Sequence, residues 1–403
     1  MFLNLIYFNQ KQLEQQEYYN LFSGGLKIPT WYGVDFTAGY DQNRGINLNP
    51  ENKTAGEGLI FAGVSIPVGQ GLFVDKRRAA IKKADLYAKS TFAEQKLILN
   101  NLYYDATISY LQWVNYYNQM ELYQNAVDLA NERFLGVKQS FAGGDVPAID
   151  TLEAFILAQV RSVNLNQAKL NYQNAKLELS NFLWFENNTP LEITDQVVPP
   201  SLNEISIQKI IAVDSLNSIL QNLKLQHPKF QLYEFKLKQL DVERRWNVEQ
   251  LKPNLNLKYN FLNEPISGDV FGSFSTNNYT WGVDFGIPLF LRESRGRLNI
   301  TKLNIQETEL EIEVKWLELS NKIKSYYNEL IALEQQINLL TNATENYFSM
   351  LEAEKRKFFM GESSIFLINS REAVYVQAAI KLIELNVKYQ SSLAEFRQAS
   401  ATW

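Results

Sequence analysis

The sequence is organised as two similar halves, which superpose at an offset of about 220 residues. In each half, a strand-like region that ends in Ile-Pro is followed by two long helical patterns. The two regions end at Ile66-Pro67 and at Ile287-Pro288. This repetition predicts two copies of one structural unit rather than a series of unrelated domains.

The helical patterns are much longer than those of ordinary globular proteins. They are predicted at about 75–141, 147–185, 293–360 and 364–398. Neither Gly nor Pro occurs between Asp75 and Arg133, and no Pro follows Pro288. About 65 helical residues make a rod of roughly 100 Å. The helices alone leave two alternatives open, an ordinary antiparallel coiled-coil bundle and the wall of a tube.

Four shorter runs have the period-two alternation of β-strands. They are predicted at 31–40, 58–67, 254–261 and 279–287. A soluble, half-buried sheet alternates as well. However, about ten residues is the length that a tilted strand needs to cross a bilayer. The polar faces carry Asn, Asp and Lys, and the apolar faces carry Tyr, Trp and Phe. The pattern therefore favours membrane-spanning strands.

Four strands cannot close a barrel, and open strand edges are not tolerated in lipid. Two chains would give a barrel filled by its own side chains, whereas three would give one with a lumen. The predicted fold is therefore mainly α with a β-barrel part. Long antiparallel coiled-coil helices form an α-barrel, and four strands per chain contribute to a 12-stranded trimeric transmembrane β-barrel.

Composition excludes several classes of function. The chain has no Cys and one His, His227, so a thiolate site or a paired-histidine metal site is not expected. We expect a structural role for His227, near the start of a helix. The net charge of -5 and the lack of a basic stripe argue against nucleic-acid binding. No motif for an active site, a cofactor or a metal is found, and Met1 to Phe8 lacks the features of a signal peptide.

Several loose motifs occur together in both halves. They comprise Val64-Ser65-Ile66-Pro67 and Phe285-Gly286-Ile287-Pro288, Arg133-Phe134 before Gly144-Asp145, Lys357-Phe358 before Gly361-Glu362-Ser363-Ser364, and the pairs Glu153-Ala154 and Glu372-Ala373. By these motifs the chain resembles the TolC-type outer-membrane efflux family over essentially its whole length. His227-Pro228 is similar to the Asn-Pro that opens a leading helix in that family.

The resemblance implies an outer-membrane channel of a tripartite efflux system. The protein would be a homotrimer in the lipid of the bacterial outer membrane, extending into the periplasm, with no cofactor and no enzymatic activity. It would be a passive exit duct for small molecules or ions that an inner-membrane pump delivers through a periplasmic adaptor. The alternatives are a duct for type I polypeptide secretion and a structural coiled-coil protein.

The resemblance also assigns roles to the hairpin tips. Adaptor docking is expected at Gly144, Asp145, Gly361, Glu362, Ser363 and Ser364. The alternative role of the two glycines is to end a helix. Relatives often carry a carboxylate about six residues after the second glycine, but this chain has Leu367 there. The candidate aperture residues are therefore Asp150, Leu367 and Ser370.

These predictions divide the chain into seven segments. They are a partial leading helix (1–28), strand pair 1 (29–70), helical hairpin 1 (71–185, tip near 142–147), an equatorial linker (186–226), the leading helix of repeat 2 (227–251), strand pair 2 (252–290) and helical hairpin 2 (291–403, tip near 360–365).

Overall fold

The computed structural model describes residues 2–11, 17–200, 213–264 and 275–403. The chain forms two compact units, one from Met1–Phe92 and Leu232–Ile312, the other from Ala93–Gln231 and Glu313–Trp403. The strands are β1 (Phe2–Lys11), β2 (Glu17–Pro29), β3 (Asp35–Arg44), β4 (Leu59–Pro67), β5 (Trp184–Phe185), β6 (Thr189–Pro190), β7 (Asn254–Asn263) and β8 (Tyr279–Gly286). The helices are α1 (Lys76–Gly143), α2 (Ala148–Ser180), α3 (Val213–Gln226), α4 (Pro228–Glu249), α5 (Arg292–Phe359) and α6 (Ile365–Ser400).

The first unit contains an antiparallel sheet with the strand order β1-β2-β3-β4-β7-β8. Its register confirms the period-two pattern of the sequence. One row of paired residues runs through Leu26, Ala38, Ala62, Phe261 and Tyr279. Because alternate residues face opposite sides of a strand, this row lies on one apolar face.

The opposite face of the sheet is polar along much of its width. One row there runs from Lys27 through Thr37, Gly63 and Asn260 to Thr280. The two faces therefore differ as the sequence predicts, with aromatic and aliphatic side chains on one and amides, hydroxyls and charges on the other.

The prediction of a partial leading helix at 1–28 is wrong, because the structure has strands β1 and β2 there. Two adjacent glycines, Gly24 and Gly25, disfavour a helix, while Tyr18, Tyr19 and Phe22 favour a strand. The β3 edge supplies hydrogen-bonding partners for β2 along ten residue pairs. Within the described residues, the sheet consequently has six strands rather than the predicted four.

The first predicted strand begins later than expected, at Asp35 rather than at Trp31. Gly33 lies in the left-handed region with a φ of 85°, and the Thr30 N–H donates to the Val34 carbonyl across the turn at 2.9 Å. Positive φ interrupts an extended strand. The alternation at Tyr32 and Val34 therefore belongs to a turn.

The four long helices confirm the predicted mainly α class. Both α1 and α5 contain 68 residues. In the second unit, α1 and α2 pack through Trp113, Val114, Tyr172, Ala175 and Leu179. Within the described residues, no helix combines the length and the apolar character needed to cross a bilayer.

The predicted equatorial linker, 186–226, ends in helix α3. Part of that linker, 201–212, and part of the predicted second strand pair, 265–274, lie outside the described residues. His227 stands between α3 and α4, and its Nδ1 accepts a hydrogen bond from the Lys229 N–H at 3.0 Å. The buried ring also makes a hydrogen bond with the backbone of Ala399, so the role of His227 in this fold is structural.

Candidate functional site

The two helical hairpins reverse direction through turns of the same geometry. Gly144 has a φ of 83° and Gly361 a φ of 78°. In the first turn, the Gly144 N–H donates to the Phe141 carbonyl at 3.0 Å, and the Asp145 N–H donates to the Ser140 carbonyl at 2.9 Å. The second turn repeats these bonds at the same distances, from Gly361 to Phe358 and from Glu362 to Lys357.

This pair of hydrogen bonds is the Schellman motif, which ends helices at a residue with positive φ. Gly144 and Gly361 therefore end α1 and α5, the alternative role that the sequence left open. Adaptor docking at these turns stays a prediction.

The polar residues of the second tip make local contacts. The Ser363 hydroxyl donates to Glu354 Oε1 at 2.5 Å. Ser364 is the N-cap of α6, and its hydroxyl accepts from the Leu367 N–H at 3.4 Å. At the corresponding place in the first tip stands Pro147, which has no side-chain acceptor. The second tip is therefore capped at both helix ends, and the first only at the end of α1.

The other predicted site residues are dispersed around the two tips. Asp145 and Glu362 are exposed, and Asp150 is half-buried in the first turn of α2. Leu367 and Ser370 are exposed and three residues apart, so they share one face of α6. No hydrogen bond or ion pair joins these five residues to one another in the described part of the chain. An aperture formed by Asp150, Leu367 and Ser370 stays a prediction.

The tips of the two hairpins pack against each other within one chain. Their shared core consists of buried Val137, Ala154 and Ile365 with half-buried Phe134, Val146 and Phe358. A cavity of about 340 Å³ lies beside it, lined among others by Gly136, Lys355 and Phe359. The two tips are therefore one structural site.

A network of charged and amide side chains links the same helices. The carboxylate of Glu372, which is only 1% exposed, pairs with the guanidinium of Arg133. Arg133 also donates to Asn369 Oδ1 at 2.7 Å, and Asn369 donates to Glu153 Oε1 at 3.1 Å. On the other side, Arg161 Nε lies 3.7 Å from Glu372 Oε1. This network joins α1, α2 and α6.

The glutamates of the two Glu-Ala pairs are not equivalent in the structure, although the pairs look alike in the sequence. Glu153 lies nine residues after Gly144, and Glu372 lies eleven after Gly361. Two residues correspond to about 200° of rotation around a helix. Glu372 is therefore buried while Glu153 is half-buried, and in the first half Ala154 is buried instead. The position eleven residues after Gly144 is Phe155, which is 42% exposed, so the two helices bury different positions after the turn and the sequence alone carries no signal for the difference.

Large apolar side chains are exposed around the tips. They include Ile149 (70%), Phe359 (86%), Met360 (67%) and Phe366 (65%). Clusters of exposed apolar residues commonly mark sites of protein–protein interaction. The tip surface therefore has the character of an interface.

The polar face of the sheet carries ion pairs that lie across neighbouring strands. Lys258 on β7 contacts Asp284 on β8 at 2.5 Å, with both side chains about half exposed. Lys27 on β2 contacts Asp35 on β3 at 2.9 Å. Such a face is suited to water rather than to hydrocarbon.

Comparison with known proteins identifies the architecture. Residues 219–402 match the outer membrane efflux protein family, and no curated protein matches the chain. The CmeC outer membrane channel of Campylobacter jejuni is 16% identical with a TM-score of 0.67, over 95% of this chain and 77% of that one. A membrane protein from Pseudomonas aeruginosa is 14% identical with a TM-score of 0.70, over 99% and 81% of the two chains.

The open-state MtrE outer membrane channel of Neisseria gonorrhoeae is 13% identical with a TM-score of 0.67, over 99% of this chain and 80% of that one. At these identities, the structural likeness establishes the fold. The family match confirms the predicted resemblance and, with it, the location in the bacterial outer membrane.

Proposed function

Because residues 219–402 match the outer membrane efflux protein family, we propose that three copies of this chain form a passive exit duct through the outer membrane. The duct carries small molecules or ions that an inner-membrane pump delivers through a periplasmic adaptor. No covalent chemistry is required of the chain.

The observation that carries this proposal is the two-faced sheet. The aromatic side chains of Trp281 and Phe285 are 68% and 66% exposed on its apolar face, while Lys258 and Asp284 lie on the other face. Strands with a lipid side and a water side are typical of membrane barrels. The sheet ends at β1 and β8, and unpaired edges in lipid are costly, so the sheet requires further copies to close.

An exposed stripe on α5 independently supports assembly from several copies. Its members are spaced three, four or seven residues apart and are all more than half exposed: Ile300, Leu303, Leu310, Val314 and Leu317. This is the spacing of a coiled-coil seam. A long apolar seam that a single chain leaves exposed is expected to face a neighbouring copy.

The hairpin formed by β1 and β2 sets a condition on the barrel. In a 12-stranded barrel, each chain contributes β3, β4, β7 and β8, and β3 must pair with β8 of the next copy. In this structure β2 occupies that edge of β3. A 12-stranded barrel therefore requires the β1–β2 hairpin to leave β3 on assembly. If the hairpin stays on β3, three copies contribute 18 strands.

A cysteine-pairing experiment distinguishes these arrangements, because the native chain has no Cys. Val283→Cys on β8 is combined with Phe36→Cys, Ala38→Cys or Tyr40→Cys on β3, and separately with Tyr7→Cys on β1. The β3 series should cross-link copies in outer membranes if the barrel has 12 strands. Cross-linking only through Tyr7→Cys would establish the 18-strand arrangement. Absence of any link between copies would contradict the shared barrel.

The duct itself is tested in planar lipid bilayers. Detergent-extracted protein should migrate as a trimer and raise the ionic conductance of the bilayer. A monomer that remains soluble without detergent would instead support the alternative of a structural coiled-coil protein. Pumps for small molecules and for polypeptides share such ducts, so co-purification of the pump from membranes would identify the cargo.

A further inference from the structure

The second unit contains a cavity of about 590 Å³ between helices of the two hairpins. Its wall includes Tyr123 from α1, Arg161 from α2, Tyr347 from α5, and Val374 and Gln377 from α6. Small-molecule sites in proteins typically enclose about 300–1,000 Å³. The cavity is therefore large enough for an organic ligand.

Arg161 is the unusual member of this wall. Its side chain is 8% exposed, and its Nε is buried without a hydrogen-bond partner. No hydrogen bond joins its guanidinium to any other residue that the structure describes. A buried guanidinium without hydrogen bonds is energetically costly, and such groups usually mark an ion, a ligand or ordered water.

The neighbouring network does not satisfy Arg161. Glu372 directs Oε2 at Arg133, and the 3.7 Å between its Oε1 and Arg161 Nε exceeds hydrogen-bonding distance. Arg133 is further held by Asn369 at 2.7 Å. Glu372 Oε1 is likewise buried without a hydrogen-bond partner. Arg161 therefore has Glu372 as a counter-charge on its Nε side, while its guanidinium makes no hydrogen bond to any described residue and the side chain lines the cavity.

We propose that this cavity binds an organic anion, whose carboxylate is held by Arg161 and whose planar apolar body lies against the tyrosines and aliphatic side chains of the wall. A guanidinium presents paired donors that match a carboxylate. Tyr123 and Tyr347 offer aromatic faces, and Leu340, Val374 and Val376 offer apolar surface.

Charge at the mouth of the cavity is compatible with such a ligand. Lys381 and Glu384 both line the cavity, and their side chains lie 3.3 Å apart. Their charges offset each other, so the orientation of the ligand depends on Arg161. A bound anion contacts helices of both hairpins and should hold them together. This inference is independent of the proposed duct.

The test uses full-length protein in detergent and 2-naphthoate as the probe, with neutral 2-naphthylmethanol as the matched control ligand. Naphthoate should raise the unfolding temperature and bind saturably by isothermal calorimetry, whereas the alcohol should bind at least about tenfold more weakly, because it lacks the charged partner for Arg161. Equal binding of the two compounds, or no binding of naphthoate, would overturn the proposal; the second result would mean that only water occupies the cavity.

Variants locate the site. Arg161→Gln should weaken naphthoate binding about tenfold or more, and Val374→Trp should do so by filling the cavity while leaving the charged network intact. Lys381→Gln removes a cation at the rim and should change the affinity by less than about twofold. If Arg161→Gln does not fold, Val374→Trp decides the question. Unchanged binding in Val374→Trp would refute the cavity as the site.

Discussion

The tip of the second hairpin is anchored by a buried carboxylate, whereas the corresponding glutamate of the first hairpin lies near the surface. Both tips have the same Schellman turn, with glycine φ values of 83° and 78°. They diverge a few residues later, where Glu372 is 1% exposed and Glu153 is half-buried. The repeated turn thus preserves backbone geometry, while the helices that follow it bury different side chains, Ala154 in the first half and Glu372 in the second.

The largest expected effect comes from neutralising the buried carboxylate. Glu372→Gln leaves Arg133 and Arg161 without a counter-charge and should cost about 3–5 kcal/mol of unfolding free energy. The matched variant of the first tip, Glu153→Gln, should cost about 1 kcal/mol or less, since within the described residues its side chain accepts one hydrogen bond, from Asn369. Chemical denaturation in detergent, followed by far-ultraviolet circular dichroism, measures both. Equal costs would contradict the asymmetry of the two tips.

Much of this fold follows from local sequence patterns. Period-two alternation located strands β4, β7 and β8, and the absence of Pro and Gly located the long helices, because these signals depend on neighbouring residues. The β1–β2 hairpin was missed, since its pairing depends on a partner strand, β3, that provides hydrogen bonds from outside the segment. The hydrophobicity of Met1 to Phe8 fits a helix or a strand equally well.

The tips were only partly predictable for a related reason. Gly144 and Gly361 could be recognised because a tight turn requires positive φ, a local property. The pairing of Arg133 with Glu372 joins residues 239 positions apart. Such a contact depends on the phase and packing of two helices, which a single sequence does not fix. Arg161 carried no signal, because an arginine that becomes buried on folding resembles an exposed one in sequence.

The two halves also differ in the segment before each strand pair, since only the second half has a helix that begins after a histidine, His227. Because His227 titrates, this difference can be measured as a pH dependence of the unfolding free energy. Burial is the main cause that lowers the pKa of His227 to about 4; the charges of Lys229 and Lys315 lower it further, and the bond to Ala399 opposes them. An unfolded histidine has a pKa near 6.5. The unfolded state therefore binds more protons. The contribution of the buried, neutral His227 to the unfolding free energy is complete above about pH 6.5, and about 3 kcal/mol of it is lost as the pH falls towards 4.

His227→Asn should remove this pH dependence, because an asparagine at this position does not titrate. The measured quantity is the difference in unfolding free energy between wild type and variant at pH 7 and pH 4.5, which cancels the titration of other groups. The first half has strands β1 and β2 in its leading segment instead of a histidine-capped helix, so the effect should arise from the second half alone. A difference that stays constant with pH would exclude His227 as its source.

The smallest expected effect concerns the Schellman turn, which the two tips share. Gly144→Ala and Gly361→Ala should each cost roughly 1–2 kcal/mol, since an alanine at positive φ strains the backbone. No neighbouring atom lies within 4 Å of the added methyl group at either site, so the costs should agree. Gly136→Ala within α1, which also meets no neighbour, should instead stabilise by about 0.5–1 kcal/mol through helix propensity. If Gly361→Ala were much more costly than Gly144→Ala, the charged network of the second tip would constrain the turn as well as the helix, and the two turns would not be energetically equivalent.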